Sequence, residues 1–288
     1  MRVTPSGGAG AITRLRFDGV VREYRPLPVE VFTPSDPRFR VPMHHLLKNR
    51  DRFWLALGAA ARLFPPRPFT VVDLGVYPGT LLRVLSRLLP PERCRLIGAG
   101  LMTPDDFRRM MREDCGAEIL TVNLDPRNEA LRGKRYPTRI PLADVSVDFV
   151  FALEIVEHMV SPSHLFAEAY RILAPGGHLL ITTPNVTRIT NVLKLLAGSS
   201  NFDRLIPLDY DNPDDEWRPH FREYAMEEIG DLLRRAGFRV VTAAHAVAED
   251  TRYDVRPAAR RLLDFALRPF DLIPHLRGSL LVIGGKPA

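Results

Sequence analysis

Three short stretches of this chain bring together residue types that do chemistry. The first is Asp73-Leu74-Gly75-Val76-Tyr77-Pro78-Gly79-Thr80, where an apolar run gives way to a helical pattern. Glycines at such a turn accept positive φ and let a ligand come close to the backbone, and the opening helix offers free N–H groups. A plainer reading stands beside it, because any tight strand-to-helix connection uses a glycine. The second is Glu154-Ile155-Val156-Glu157-His158. An imidazole titrates near neutral pH, which suits His158 to take the proton of an acceptor hydroxyl. Its plainer reading is a structural residue of the loop, with Glu157 accepting bonds from backbone N–H groups. The third is His220-Phe221-Arg222-Glu223-Tyr224, ahead of another helical pattern. Here His220 and Arg222 either reach a site and orient an anionic substrate or cap and pack the helix entrance; Tyr224 reads more naturally as core.

Several other chemistries have no residues to stand on. The chain has no Gly-x-Ser-x-Gly elbow and no phosphate loop ending Gly-Lys-Ser/Thr, which excludes the hydrolase and nucleotidase readings. The pair His44-His45 lacks a Cys or carboxylate partner at ligand spacing, so no metal is expected there or elsewhere. Cys94 and Cys115 are too few for a disulfide framework or a cysteine-rich zinc site, and both are read as reduced thiols.

Periodicity supplies the elements that must hold these stretches. Residues 1–42 are broken by prolines and alternate weakly through Ile12, Leu15, Phe17, Val20 and Val21, which predicts a short hairpin or an arm packed on the main domain. Leu46, Leu47, Phe53, Trp54, Leu57 and Ala61 predict a lead-in helix within 43–64, ended by Pro65-Pro66. Strands are expected at 69–74, 95–99, 117–122, 147–153 and 178–183, alternating with helices at 80–89, 104–113 and 162–173. Such alternation gives a parallel sheet covered on both faces. A helix at 226–236 and strands at 238–244 and 279–284 follow. The acidic, aromatic-bearing segment 199–222 is long enough to be a functional cover. The insert 256–276 mixes Leu and Phe with several Arg, and reads either as a helix completing the substrate side or as a basic amphipathic helix on a membrane surface.

Composition bounds the rest. The 288 residues are 45% hydrophobic and 26% charged, an ordinary globular balance that excludes disordered and fibrous classes. No run approaches a membrane-spanning length, and the first residues lack a signal-peptide core, so a cytoplasmic protein is expected. The net charge is +6, with Arg supplying all but four of the 40 basic residues. These arginines are spread along the chain, which argues against nucleic acid as a partner and leaves a weak pull toward anionic surfaces.

Residues 140–185, IPLADVSVDFVFALEIVEHMVSPSHLFAEAYRILAPGGHLLITTPN, resemble the class I S-adenosylmethionine-dependent methyltransferases of the seven-strand fold. Shared pieces are the Pro-Leu-x-Asp lead-in, the strand running into Glu-Ile-Val-Glu-His, Pro175-Gly176-Gly177 as a tight turn, and a strand ending Thr-Pro-Asn. The later His220–Tyr224 stretch and Ala236-Gly237-Phe238 also fit, and the likeness covers about 69–285. It is nearest to bacterial small-molecule and glycan methyltransferases, whose fifth strand leads into a Pro-Asn-x-x-Arg segment, here 184–188.

This resemblance implies an α/β fold: a doubly wound, mostly parallel, seven-stranded Rossmann-like sheet with an antiparallel last strand, an N-terminal extension over 1–64 and a methyltransferase domain over 65–288. Segments 199–222 and 250–277 form its substrate-side cover. It implies S-adenosylmethionine as cofactor and S-adenosylhomocysteine as product, with Asp73, Gly75, Tyr77, Gly79, Gly100, Asn123, Asp125, Glu154 and His158 lining the cofactor. His158 and His220 are the candidates for the acceptor's base, and Asn185, Arg222 and Tyr224 are placed on the substrate side. Two positions depart from the pattern: Tyr77 replaces the middle glycine of Gly-x-Gly-x-Gly, and Gly100 stands where a carboxylate holds the ribose. The expected activity is methylation of an oxygen or nitrogen of a small molecule, a sugar, glycan or secondary metabolite. The rival is a methyltransferase-like fold that binds without catalysing. Peripheral membrane contact through 256–276, at the inner membrane surface, is the one further partner weighed, and the oligomeric state is left open.

Overall fold

The computed structural model describes residues 12–32, 43–101, 103–126, 136–201, 220–247, 262 and 265–288. At the start of the chain lies a helix, α1 (Arg14–Glu23), capped by Thr13, where a hairpin or arm was expected. Its apolar residues Phe17, Val20, Val21 and Tyr24 recur at three and four, a helical face that the exposed Leu15 and the flanking arginines obscure. The hairpin reading survives in a short antiparallel pair, β1 (Val31–Phe32) with β2 (Met43–His44). The lead-in helix is two pieces, α2 (His45–Lys48) and α3 (Arg50–Ala60), broken at Asn49.

The sheet follows. Its strands are β3 (Phe69–Leu74), β4 (Cys94–Gly100), β5 (Glu118–Thr121), β6 (Val147–Leu153), β7 (Leu173–Pro184), β8 (Arg239–Ala246) and β9 (Ser279–Gly285). Their spatial order is β5-β4-β3-β6-β7-β9-β8. Pairings from β5 through β7 are parallel, and β9 runs antiparallel to both of its neighbours. The Rossmann-like expectation therefore holds, including the single reversed last strand. Between strands lie α4 (Thr80–Leu88), α5 (Asp105–Cys115), α6 (Ser163–Ile172), α7 (Ile189–Leu196) and α8 (Met226–Arg235).

Alternate residues of each inner strand feed two separate cores, as a sheet covered on both faces requires. Val71, Leu96, Phe149, Phe151 and Ile283 pack with Phe17, Leu57, Leu82 and Met111 on one face. Val72, Ile97, Val150, Ala152 and Val282 pack with Phe166, Ile229 and Leu233 on the other. The first core contains α1, α3 and α4 together, so the N-terminal residues are one of the sheet's covering layers.

Two local expectations shift. Strand β7 begins at Leu173, directly after α6, so Pro175-Gly176-Gly177 forms an irregularity inside the strand instead of a turn before it. Gly176 there has φ +77 and its N–H bonds the Lys286 carbonyl at 3.0 Å. In the 256–276 insert, residues 262 and 265–267 are helical and two 3₁₀ turns follow, Arg268–Leu272 and Pro274–Leu276. Its start, and most of the 199–222 cover, lie outside the described residues. Among the described residues, no helix is long and apolar enough to cross a membrane.

Candidate active site

Strand order reverses between β3 and β6, and in an open α/β sheet the carboxyl ends of the strands at such a switch point form the ligand crevice. The turn after β3 sits there. Gly75 and Gly79 have φ +81 and +92. A Cβ on Gly75 would crowd Ile155 Cδ1 and one on Gly79 would crowd Met111 Sδ, so each position favours glycine first by its φ and then by the side-chain shift a Cβ would force. Gly75 N–H anchors the turn on the Ala99 carbonyl at 2.8 Å. Gly79 then caps α4. Tyr77, at the missing glycine, keeps its ring partly exposed and packs on Phe107, with centroids 5.3 Å apart.

Asp73 is buried next to this turn, and burial pushes its carboxyl up to about 8. A carboxyl that is costly to ionise in the free protein becomes favourable once a cationic group is placed against it. Gly100 closes β4 beside the turn. A Cβ there would meet Val76 N at 3.6 Å, Gly75 Cα at 3.7 Å and Val76 Cγ1 at 3.9 Å, ordinary contacts that leave room for a side chain. These features fit the methionine end of S-adenosylmethionine at Asp73; no carboxylate occupies the ribose position of β4.

After β6, Glu154 takes φ +52, a strained value for a residue with a side chain. Its N–H bonds the Thr182 carbonyl at 2.8 Å, and its carboxylate faces Arg52 of α3 at 3.4 Å. A 3₁₀ turn over Val156–His158 follows. Glu157 is fully buried; its Oε2 accepts from the Thr183 hydroxyl at 2.9 Å, and its Oε1 has no hydrogen-bond partner. Burial first, and then the Glu154 charge, push Glu157 well above the ordinary carboxylate range. The expectation that Glu157 bonds backbone N–H groups is thus replaced in part by the Thr183 hydroxyl.

The 220–224 stretch is stitched to this loop by its backbone. Phe221 N–H and Arg222 N–H both donate to the Glu157 carbonyl, at 2.8 and 3.3 Å, and Tyr224 forms an isolated bridge with Asn185. His220 and His158 are brought together in consequence, with ring centroids 4.7 Å apart at 77°. His220 Nδ1 also lies 3.6 Å from Glu223 Oε1, and Glu223 in turn accepts from Arg188 at 2.8 Å and Asn191 at 2.7 Å.

Other expected residues have structural duties. Asn185 is fully buried: its Nδ2 donates to the His275 and Arg277 carbonyls, and its Oδ1 accepts from Thr187 N–H and Oγ1. All four hydrogen-bonding positions of the amide are filled, which removes it from the substrate side. Arg222 pairs with Glu228 at the entrance of α8 and covers the Tyr224 ring at 5.4 Å. Tyr224 itself is buried in the core, as its sequence reading has it, while Arg222 stays exposed at the entrance of α8. Asp125 accepts from Val160 N–H at 2.6 Å and Ser161 N–H at 3.2 Å, fixing the segment just after His158. Asn123 Oδ1 accepts from Asp125 N–H at 2.9 Å. His45, expected to bind no metal, faces Thr80 Oγ1 at 3.0 Å, and burial lowers its imidazole to about 4.

Sequence reasoning missed what lies under the turn. Glu30, fully buried, pairs with Arg83 and accepts from Tyr24 Oη and Thr80 Oγ1, both at 2.5 Å. Arg83 also donates to Asp114, Nε to Oδ2 at 2.8 Å. Thr80 opens α4, so the ion pair supports the helix that opens on the ligand turn. No motif spacing links residues this far apart in sequence.

An open, doubly wound sheet with a glycine turn and a buried acid at its switch point defines a ligand-binding enzyme class of the Rossmann-like kind. The sequence pattern of the methyltransferase domain family matches residues 46–243, and the chain belongs to that family. A probable S-adenosylmethionine-dependent methyltransferase of Mycolicibacterium smegmatis is 32% identical over 136 residues, 44% of this chain and 46% of the relative. The ubiquinone biosynthesis O-methyltransferase of Xanthomonas axonopodis pv. citri is 23% identical across 76% of this chain and 90% of its own. The chain spans under half the length of the first curated relatives it matches. Among solved structures, the Haloferax volcanii complex of the Trm112 methyltransferase activator with a methyltransferase shares the fold: TM-score 0.52, 21% identity, covering 83% of this chain and 92% of that one.

Proposed function

We propose that this protein transfers a methyl group from S-adenosylmethionine to an oxygen of a small-molecule acceptor, a sugar, glycan or secondary metabolite. The observation that carries the reading is the buried Asp73 carboxyl beside the Gly75–Gly79 turn at the sheet's switch point. Family membership supports it, and the O-methyltransferase name of the Xanthomonas relative supports oxygen as the acceptor atom.

Bound S-adenosylmethionine supplies a methyl group already activated by the sulfonium. The chain's part is placement and proton removal. Asp73 would pair with the cationic methionine end, and the turn backbone and the Glu154–His158 loop are the other parts of the chain that would hold it. The acceptor oxygen forms a bond to the methyl carbon, the carbon–sulfur bond breaks with its electrons going to sulfur, and the hydroxyl proton passes to the His158–His220 pair. S-adenosylhomocysteine leaves.

Gly100 favours a second reading, a protein of this fold that binds a partner without catalysing. Titration calorimetry with S-adenosylmethionine and S-adenosylhomocysteine separates the two. Saturable one-to-one binding is expected, and Gly100→Asp should tighten it roughly 10- to 100-fold, the effect of one hydrogen bond to a charged group. Absence of binding up to about 1 mM, weaker than about −4 kcal/mol, would leave the non-catalytic reading standing.

A further inference from the structure

Glu157, His158 and His220 each offer one ligand atom, and these atoms all lie within 4.8 Å of one another. One carboxylate oxygen and two imidazole nitrogens at such separations are the donor set of a first-row divalent cation. A second observation is independent of that convergence: Glu157 Oε1 is buried and has no hydrogen-bond partner. An unmatched carboxylate oxygen in the interior is costly, and a cation is the group that would remove the cost. The surroundings suit a bound ion. Glu223 Oε1 lies 3.6 Å from His220 Nδ1, a carboxylate beside the imidazole that orients the ring. Arg188 and Asn191 hold Glu223, and Thr183 holds the other oxygen of Glu157. Glu154 faces the same carboxyl from across the loop, and Arg52 opposes it. Glu157 is buried while both imidazoles are half-exposed, so the site has a closed floor and an open mouth.

We propose that Glu157, His158 and His220 bind a divalent transition-metal ion of the Mn²⁺ or Zn²⁺ kind, whose remaining positions take oxygens of the methyl acceptor. This use of the ion rests on the methyltransferase reading; the binding site itself does not. Three protein ligands leave positions open, which suits an acceptor carrying two adjacent oxygens, such as a vicinal diol or a catechol. In this arrangement the ion lowers the pKa of the acceptor hydroxyl, whose proton leaves to solvent water, and the imidazoles hold the ion in place of serving as the base. The ion also ties the loop after β6 to the segment before α8, two stretches more than 60 residues apart in sequence that the Glu157 carbonyl already joins.

The test uses tag-free, chelator-stripped full chain, titrated with MnCl₂ and ZnCl₂ by calorimetry, with melting temperature recorded alongside. One-to-one binding with Kd below about 10 μM and a rise in melting temperature are expected for the wild type. His158→Ala and His220→Ala should each weaken binding at least tenfold. Glu157→Gln keeps the side chain's shape and should do the same, covering the case in which an alanine variant folds poorly. His245→Ala, on β8 and outside the cluster, should bind like wild type. No saturable binding up to about 1 mM, or equal binding by the wild type and all three cluster variants, overturns the proposal. Parallel titrations with S-adenosylmethionine in the presence of EDTA keep the two readings apart: cofactor binding without metal binding sinks only the metal site, and the reverse sinks only the methyltransferase reading.

Discussion

Asp73 couples ligand binding to protonation. In the unfolded chain its carboxyl titrates near the ordinary 3.8, and burial in the fold raises it to about 8. Between those values the folded state holds a proton that the unfolded state has lost. Stability from this group is therefore fully present below about 4, falls as pH rises through the window, and is gone above about 8. A cationic ligand end reverses the preference and draws the carboxyl into its ionised form. Binding of S-adenosylmethionine at pH 7 should then release close to one proton, seen as a dependence of calorimetric enthalpy on buffer ionisation enthalpy. Affinity should rise with pH up to about 8 and level off. Asp73→Asn should abolish the proton release, weaken binding roughly 10- to 100-fold and melt higher than wild type at pH 9. A variant that binds normally with the same proton release would remove Asp73 from the site. The Glu157–His158–His220 cluster sits at the same scale but was not visible as a unit in the sequence. Glu157 and His158 are adjacent, while His220 arrives through backbone bonds to the Glu157 carbonyl that no spacing encodes.

At the scale of elements, the β3-turn-α4 unit shows why some parts were readable and others not. Runs such as Phe69–Leu74 and Val147–Leu153 are apolar throughout because both sheet faces are buried, so their strands stand out. Helix α1 did not, since Leu15 is 76% exposed and breaks the apparent pattern. The glycines were legible as a turn, yet part of the reason each position favours glycine lies in contacts from other elements, Ile155 after β6 and Met111 of α5. Gly79→Ala places its Cβ in the Met111 sulfur at a positive φ, two costs at once. It should lower the unfolding free energy by about 1–3 kcal/mol and weaken cofactor binding with it. Gly100→Ala, whose Cβ meets nothing closer than 3.6 Å, should stay within about 0.5 kcal/mol of wild type. Urea unfolding of the two variants compares them directly, and equal losses would mean that Gly79 tolerates a side chain.

For the whole molecule, the decisive contact is the one between the N-terminal layer and the sheet's first crossover helix. The sequence set 1–64 apart as an arm and lead-in helix. In the structure Phe17, Leu46, Phe53 and Leu57 share a core with Val71, Leu82 and Phe149, and the buried Glu30–Arg83 pair lies inside that shared layer. Glu30 also takes the hydroxyls of Tyr24 and Thr80, so one carboxylate joins α1's end, the β1 approach and the start of α4. Losing a buried partner costs about 3–5 kcal/mol where the other charge is left uncompensated; Arg83 keeps Asp114 at 2.8 Å, so the loss here is about 1–3 kcal/mol, that of unmet buried hydrogen bonds. Glu30→Gln should therefore lower global stability by that amount in a single cooperative transition, because the N-terminal layer and the sheet unfold together. It should also weaken cofactor binding through Thr80, although Glu30 lies outside the ligand turn. Denaturation in a Trp217→Phe background, followed by the fluorescence of the remaining Trp54 and by far-ultraviolet circular dichroism, checks this: Trp54 reports on α3, the dichroism on the whole fold. Coincident curves shifted to lower denaturant are expected. Two separated transitions, with the Trp54 signal lost first and the sheet unchanged, would make the N-terminal layer a separately unfolding unit and confine the role of Glu30 to holding it in place.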